Sequence, residues 1–344
     1  MKRKYLCTIL SITLSTVLLL AGCSSNQKDQ PTTAEVESNP VTQSTPIATE
    51  GVATPSPEIS PVESTPTPEP SWTVVLDNKI SHPTNIAGFL NETYGLTVGY
   101  NGEIHYTNDG GKTWPKSENS SLCRFCLDIV DENLAWSGGN GNNVRMTKDG
   151  GKTWSAVSDI KLKGGHSNID FVDDTNGWIT SLSNGAVTKD GGATWTELNL
   201  PEDVKGIAAI CLRTPEDGYL LSHNGMFFIT ADGGKTWNKQ DLGFEKYKIV
   251  DQKNKSGLYK NNFALADISF SDESNGIIVF VGPEPGNGMK TWCLTTADGG
   301  ATWTSELLTP VEGFSPARVF ITGDCNYITL GTNDNRVIVL KSLK

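Results

Sequence analysis

The octet "TADGGKTW", Thr230 to Trp237, recurs with small changes four more times: "TNDGGKTW" (Thr107 to Trp114), "TKDGGKTW" (Thr147 to Trp154), "TKDGGATW" (Thr188 to Trp195) and "TADGGATW" (Thr296 to Trp303). Its aspartates, Asp109, Asp149, Asp190, Asp232 and Asp298, are spaced by 40, 41, 42 and 66 residues when their numbers are subtracted in turn. A period near forty, with several short strands per unit, is the pattern of a β-propeller. The unit around the third box, "FVDDTNGWITSLSNGAVTKDGGATW" (Phe171 to Trp195), contains the end of one strand, an Asn-Gly turn, "WITSL", a second Asn-Gly turn, and "AVT" running into the box. Asn and Gly tolerate the positive φ that tight hairpins demand. Each unit therefore reads as one four-stranded blade, and blades must stack because an isolated one cannot cover both of its faces.

Every residue type in the box has a local structural task. The Asp carboxylate can accept N–H bonds from the residues after it, as in an Asx turn. The two glycines reach conformations closed to other residues. Trp114, Trp154, Trp195, Trp237 and Trp303 are expected to pack back over their hairpins, each burial contributing ~1.5–3 kcal/mol. A calcium loop needs several acids, and each box has one. The box reads as scaffold, with no metal and no cofactor implied.

The box resembles the Asp-box, or bacterial neuraminidase repeat, of sialidases, sortilin ectodomains, some endoglucanases and the photosystem II assembly and stability factors. Its extended form, "GW…G…NG…T.DGG.TW", is most similar to the last of these, over residues 72 to 344. That resemblance implies a propeller, seven blades and an assembly role through a basic surface. The chain departs from it on charge, because its propeller holds only Arg124, Arg145, Arg213, Arg318 and Arg336 as arginines. It also lacks the arginine-bearing "RIP" motif of sialidases, the corresponding region reading "ISHPTNIAGFL".

Five boxes close five blades. After Trp303 the chain supplies three more strands and ends, while "SWTVVLDN" at Ser71 looks like the strand that follows each box. The expectation is an all-β propeller of six four-stranded blades closed by the N-terminal strand, with seven blades as the alternative if the 66-residue interval hides a degenerate one.

The other ends of the chain read differently. "MKRKY" followed by an apolar run is a secretory signal, and "LAGC" (Leu20 to Cys23) resembles a bacterial lipobox, which implies cleavage before Cys23 and lipidation of it. Residues 1–22 are then a signal peptide. Residues 23–70 are the lipidated cysteine and a tether with nine prolines and no aromatic residue, a composition that cannot offset the entropy of folding. Residues 71–344 are the propeller. The expected location is the bacterial cell envelope, facing outward, with acyl chains such as palmitate in the membrane.

Loss of Lys2, Arg3 and Lys4 takes the net charge from −11 to −14, and seven acids against Lys28 in the tether leave −8 on residues 71–344. That balance argues against nucleic acid. Of the cysteines, Cys123, Cys126, Cys211, Cys293 and Cys325 remain in the propeller, an odd number that leaves at least one thiol.

Two departures from the repeat fall on the face opposite the boxes, where insertions build binding surfaces. One is the link from Phe244 to Phe263, which carries Tyr247, Lys248, Tyr259 and Lys260; the other is the turn "GPEPGNGMK", with Glu284, Asn287 and Lys290. A protein, peptide or glycan partner is expected there. On the inner strands, alignment of the repeats places Asp128 and Asp170 at equivalent positions beside the central channel, with Gly88, Cys211, Ser269 and Val319 in the other blades. The function expected is a non-catalytic binding or assembly module. The alternative is a glycoside hydrolase, which needs a carboxylate pair at a set separation.

Overall fold

The fold is taken from a computed structural model that describes residues 71–120, 125–139, 143–160, 162–163, 165–204, 206–242, 266–284, 288–308, 318–332 and 334–343. These residues form strands and turns only. The chain opens with β1 (Trp72–Lys79) and then builds antiparallel sheets in sequence order. Blade one is β2 (Ile86–Phe89), β3 (Gly95–Val98) and β4 (Ile104–Thr107). Blade two is β5 (Cys126–Ile129), β6 (Ala135–Gly138), β7 (Asn143–Thr147) and β8 (Ser155–Asp159). Blade three is β9 (Asn168–Phe171), β10 (Gly177–Thr180), β11 (Gly185–Thr188) and β12 (Thr196–Glu197). Blade four is β13 (Ile207–Leu212), β14 (Gly218–Ser222), β15 (Met226–Thr230) and β16 (Asn238–Asp241). Blade five is β17 (Ala266–Phe270), β18 (Gly276–Glu284), β19 (Gly288–Thr296) and β20 (Thr304–Leu308). Blade six is β21 (Arg318–Ile321), β22 (Tyr327–Gly331) and β23 (Arg336–Ser342), with β1 as its outer strand.

The ring closes as the sequence predicts. β1 pairs antiparallel with β23, from Trp72 opposite Ser342 to Lys79 opposite Arg336. Arg336 fixes the register by donating from Nε and Nη2 to Asp77 at 2.8 and 2.6 Å, the bidentate geometry in which guanidinium and carboxylate bind best. The inner strands β2, β5, β9, β13, β17 and β21 contact one another in a closed circuit. Blades four and five are therefore direct neighbours, and the long interval between their boxes is an insertion rather than a seventh blade. Blade one departs from the pattern in a small way. Pro115, which lacks an N–H, follows its box, and the fourth strand shrinks to a bridge between His105 and Lys116.

The boxes do more than close their own hairpins. In the fourth box, Thr230 Oγ1 donates to Asp232 Oδ1 at 2.8 Å and accepts the N–H of Gly234 at 3.0 Å, while Asp232 accepts from the Thr236 N–H at 2.9 Å and its hydroxyl at 2.6 Å. The other four boxes repeat this network. The first glycine of each box donates its N–H to the turn between strands one and two of its own blade, for example Gly233 to Glu216 O at 2.7 Å. The second glycine, at φ +81 in Gly234, touches the preceding blade, where an added Cβ would lie 2.3 Å from Leu198 Cδ1.

The box tryptophans extend an expectation. Trp114, Trp195 and Trp303 do pack against Phe89, Phe171 and Phe270 of their own blades, but Trp154 and Trp303 also wedge into the seams between blades. Trp154 of blade two packs with Tyr94 and Leu96 of blade one, and Trp303 of blade five packs edge-on against Phe227 of blade four at 5.8 Å. The seams are further filled by stacked aromatics: Trp136 of blade two on Phe171 of blade three at 3.7 Å, and Tyr219 of blade four on Phe270 of blade five at 3.6 Å. A repeat that spends its largest side chains between units has a core distributed around the ring.

Candidate functional site

The two ends of the central channel differ in size and chemistry. At the end shared with the boxes, a cavity of about 250 Å³ is lined by the inner strands of blades two to six and by Arg213 and Gly323. At the opposite end the channel widens into a funnel of about 830 Å³, walled by the first residues of the inner strands and by turns between strands two and three. Five large hydrophobic residues among those described are exposed, and three of them stand on this funnel: Tyr100 at 50 %, Phe125 at 45 % and Leu182 at 54 %. Tyr100 and Leu182 sit in the hairpin turns of blades one and three, and Phe125 just ahead of β5. Single exposed apolar residues are ordinary, but a group of them around one cavity marks a contact surface.

The walls below are apolar, from Leu127, Ile169, Ile210 and Phe320, and carry two histidines. His166 is buried and His223 half-buried, and burial holds both below the usual imidazole pKa, so both are neutral at pH 7. The ring nitrogens of His223 make no hydrogen bond, whereas the backbone carbonyls of Ile160 and Asn143 act on His166 and partly offset its burial.

Asp128 and Asp170 do face the channel, and the structure adds a third acid, Asp267 on β17. Each is built into the ring. Asp128 Oδ2 accepts the N–H of Phe171 on the next blade at 2.8 Å, Asp170 Oδ2 accepts that of Leu212 at 3.0 Å, and Asp267 Oδ2 accepts that of Ile321 at 2.8 Å. Elsewhere the same role passes to other side chains: Cys211 Sγ meets the Phe270 N–H, and Thr329 Oγ1 accepts from Phe89 N at 3.0 Å. Burial pushes Asp128 and Asp267 up to about 7 and Asp170 well above its ordinary value, and like-charge repulsion adds to this, from Asp267 on Asp128 and from Asp128 and Asp267 on Asp170. Asp267 escaped the alignment because it lies two positions ahead of Ser269, the aligned residue, on the same face of the strand. In blade six the aligned position is Phe320 rather than Val319, since Ile321 is the residue whose N–H is accepted.

The predicted insertion-face residues are placed only in part. Phe244, Tyr247, Lys248, Tyr259, Lys260 and Asn287 lie outside the described residues. Glu284 ends β18 with its backbone paired to Gly288, and Lys290 is half-buried on β19 opposite Gly282. β18 and β19 have nine residues each where the second and third strands of blades one to four have four or five. At ~3.3 Å per residue their hairpin extends ~13 Å further on the funnel side. The described cysteines, Cys126, Cys211, Cys293 and Cys325, are buried or half-buried, and burial raises the thiols of Cys211 and Cys325, the latter to about 11. Among the described residues no cluster of His, Cys, Asp and Glu could hold a metal ion.

With the geometry established, comparison with known proteins adds a family. The family described as "Photosynthesis system II assembly factor YCF48" matches residues 67–198, from ahead of β1 through blade three. Over that stretch the chain is similar to YCF48, and the described ring is an Asp-box propeller. No curated protein matches it. Among solved structures it is similar to "YCF48 bound to D1 peptide" (18 % identity, 80 % of this chain and 96 % of that one, TM-score 0.48) and to "YCF48 from Cyanidioschyzon merolae" (16 %, 79 % and 98 %, TM-score 0.46). It is also similar to U3-55K (10 %, 79 % and 98 %, TM-score 0.51). At these identities the structural likeness speaks to the propeller fold alone.

Proposed function

We propose that this protein is a lipid-anchored envelope propeller that binds a segment of a partner protein in the funnel opposite the boxes, without catalysing a reaction on it. The observation that carries the reading is the apolar rim: Tyr100, Phe125 and Leu182, from three different blades, stand exposed around one 830 Å³ cavity. Cavities of this size that combine apolar walls with a few polar groups are the usual form of a binding site. The YCF48-like sequence of the first three blades supports an assembly or binding role over an enzymatic one.

The path of the chain supports the anchoring. β1 starts at Trp72, opposite Ser342, and Ser342 N donates to Asn326 O in the box-side turn of blade six at 2.9 Å. The tether that precedes β1 therefore joins the propeller on the box side. A tether of this length would lift a propeller lipidated at Cys23 off the membrane without fixing which end faces it. A glycoside hydrolase gains nothing from this geometry. The channel carboxylates are engaged with backbone N–H groups of neighbouring blades, and nothing in that arrangement resembles an acid and a nucleophile facing a sugar.

A photo-crosslinking residue placed at Tyr100 in the intact lipoprotein tests the reading in its own envelope. It is expected to give a discrete protein adduct, while the same residue at Lys112, in an exposed part of the first box, gives none. Equal labelling at both positions, or none at Tyr100, would sink the funnel as the contact surface. Cys23→Ser should shift the protein from the membrane fraction to the soluble one; retention on the membrane would refute the anchor.

A further inference from the structure

The funnel and the channel are one continuous space, because Leu127, Ile169, Ile210, Asp267 and Phe320 line both. Their chemistry changes with depth. The mouth is apolar, with Tyr100, Phe125 and Leu182. The floor is acidic: Asp267 lines the funnel itself, and Asp128 and Asp170 line the channel beneath it. Among the described residues lining the funnel there is no lysine or arginine, and its two histidines are held neutral by burial. The arginine that lines the channel, Arg213, lies toward the box end and is already paired with Asp217.

The acids retain capacity for a ligand. Asp267 accepts one N–H at each oxygen, from Ile268 at 2.9 Å and Ile321 at 2.8 Å, and Asp170 accepts one at 3.0 Å. An approaching cation favours the ionised form of each acid, and an ionised carboxylate has about four acceptor positions, so at least two remain on each. On the wall, the ring nitrogens of His223 have no hydrogen-bond partner. Unpartnered polar groups on a cavity wall are suited to the backbone of an incoming chain, which brings its own donors and acceptors.

Deepening the reading of the funnel as a protein-binding site, and resting on it, we infer that its ligand is a protein segment with a basic side chain next to an apolar one. The apolar residue packs against Tyr100, Phe125 and Leu182, and the cation reaches down toward Asp267 and the two acids below. Charge complementarity selects this occupant. The protein's own tether is the wrong partner, since it carries seven acids against one lysine and joins on the box side.

The test uses the intact chain and three fluorescent hexapeptides: acetyl-Gly-Phe-Lys-Phe-Lys-Gly-amide and its counterparts with both lysines replaced by Gln or by Glu. The Lys peptide should bind roughly tenfold tighter than the Gln peptide at about 50 mM salt, the Glu peptide more weakly still, and the gap should narrow at about 300 mM. Asp267→Asn and, independently, Asp170→Asn should each bring the Lys peptide down toward the Gln peptide and leave the Gln peptide unchanged. Tyr100→Ser should weaken the Lys and Gln peptides alike. Equal affinity for Lys and Gln peptides, both sensitive to Tyr100→Ser, would overturn the cationic preference and leave the funnel reading standing. Binding of no peptide, or binding indifferent to Tyr100→Ser, would overturn both.

Discussion

Asp170 on the inner strand of blade three accepts the backbone N–H of Leu212 on the inner strand of blade four, at 3.0 Å. The bond ties two blades at the narrowest part of the ring, where no sheet hydrogen bond can, since each sheet ends at its own inner strand. Asp128 and Asp267 make the same link one blade earlier and two blades later. The channel acids therefore have a structural reason to exist before any ligand is considered. That link has an electrostatic cost, because three carboxylates share one confined space.

This cost should appear as a pH dependence of stability. The folded-state pKa values of Asp128 and Asp267 are raised from 3.8 to about 7, and that of Asp170 is raised well above 3.8, with burial as the first cause in each. A raised acid stabilises the fold most fully below its unfolded pKa and loses that contribution as pH climbs through the folded value. Chemical denaturation at pH 5 and pH 8.5 should show the propeller less stable at the higher pH, by on the order of 2–3 kcal/mol for each of Asp128 and Asp267. Asp170→Asn, which keeps an acceptor for Leu212 without the charge, should flatten the profile. A flat profile in the unmodified chain would mean the acids stay ionised and well solvated.

The box hydroxyl is the second place where one atom serves several partners. Thr230 is 1 % exposed, and its Oγ1 serves Asp232 and the buried N–H of Gly234 together. Thr230→Val preserves shape and leaves that N–H unsatisfied, a loss of about 1–3 kcal/mol to be read from denaturant midpoints. Asp232 has its pKa lowered to about 2, chiefly by the Thr236 hydroxyl. A lowered acid keeps its contribution above the unfolded pKa and loses it as pH falls through the folded one, so the box should hold until pH is well below 4.

The two box glycines should differ in sensitivity. Both have positive φ, +72 at Gly233 and +81 at Gly234, so alanine at either costs about 1–2 kcal/mol in backbone strain. Gly233 has only Pro215 O within reach of a new Cβ, at 3.2 Å, whereas Gly234 would meet Leu198 Cδ1 of the preceding blade at 2.3 Å. Gly234→Ala should add about 1–3 kcal/mol of overpacking to the strain. Equal effects at the two sites would show that Leu198 moves aside freely.

Much of this fold could be read in the chain because a propeller is a local pattern repeated. Five boxes, their Asn-Gly turns and the orphan strand at Trp72 define six blades and their closure without any long-range information. The roles between blades were harder to see. Trp154 and Trp303 serve their own hairpins as the sequence suggests, and the structure adds their contacts across the seams. Asp267 was missed because an alignment by column cannot see that a shift of two keeps a strand residue on the same face. Tyr100, Phe125 and Leu182 lie 25 and 57 residues apart in sequence, each unremarked in an ordinary turn or link, and the ring alone brings them around one mouth.

Closure by β1 gives the last prediction. β23 is buried along Val337 to Leu340 and is covered on its outer side by β1. Deleting Ser71 to Lys79 would expose its edge, a row of unpaired N–H and C=O groups that invites pairing with another chain. It would also remove Trp72, whose Nε1 donates to Glu306 of blade five at 3.0 Å. Size-exclusion chromatography with light scattering should find the deleted chain aggregated or domain-swapped, and adding residues 71–79 back as a peptide should recover monomer. A deleted chain that stays monomeric with an unchanged denaturation midpoint would mean that blade six is complete with three strands, as blade one nearly is with its fourth strand reduced to a single bridge.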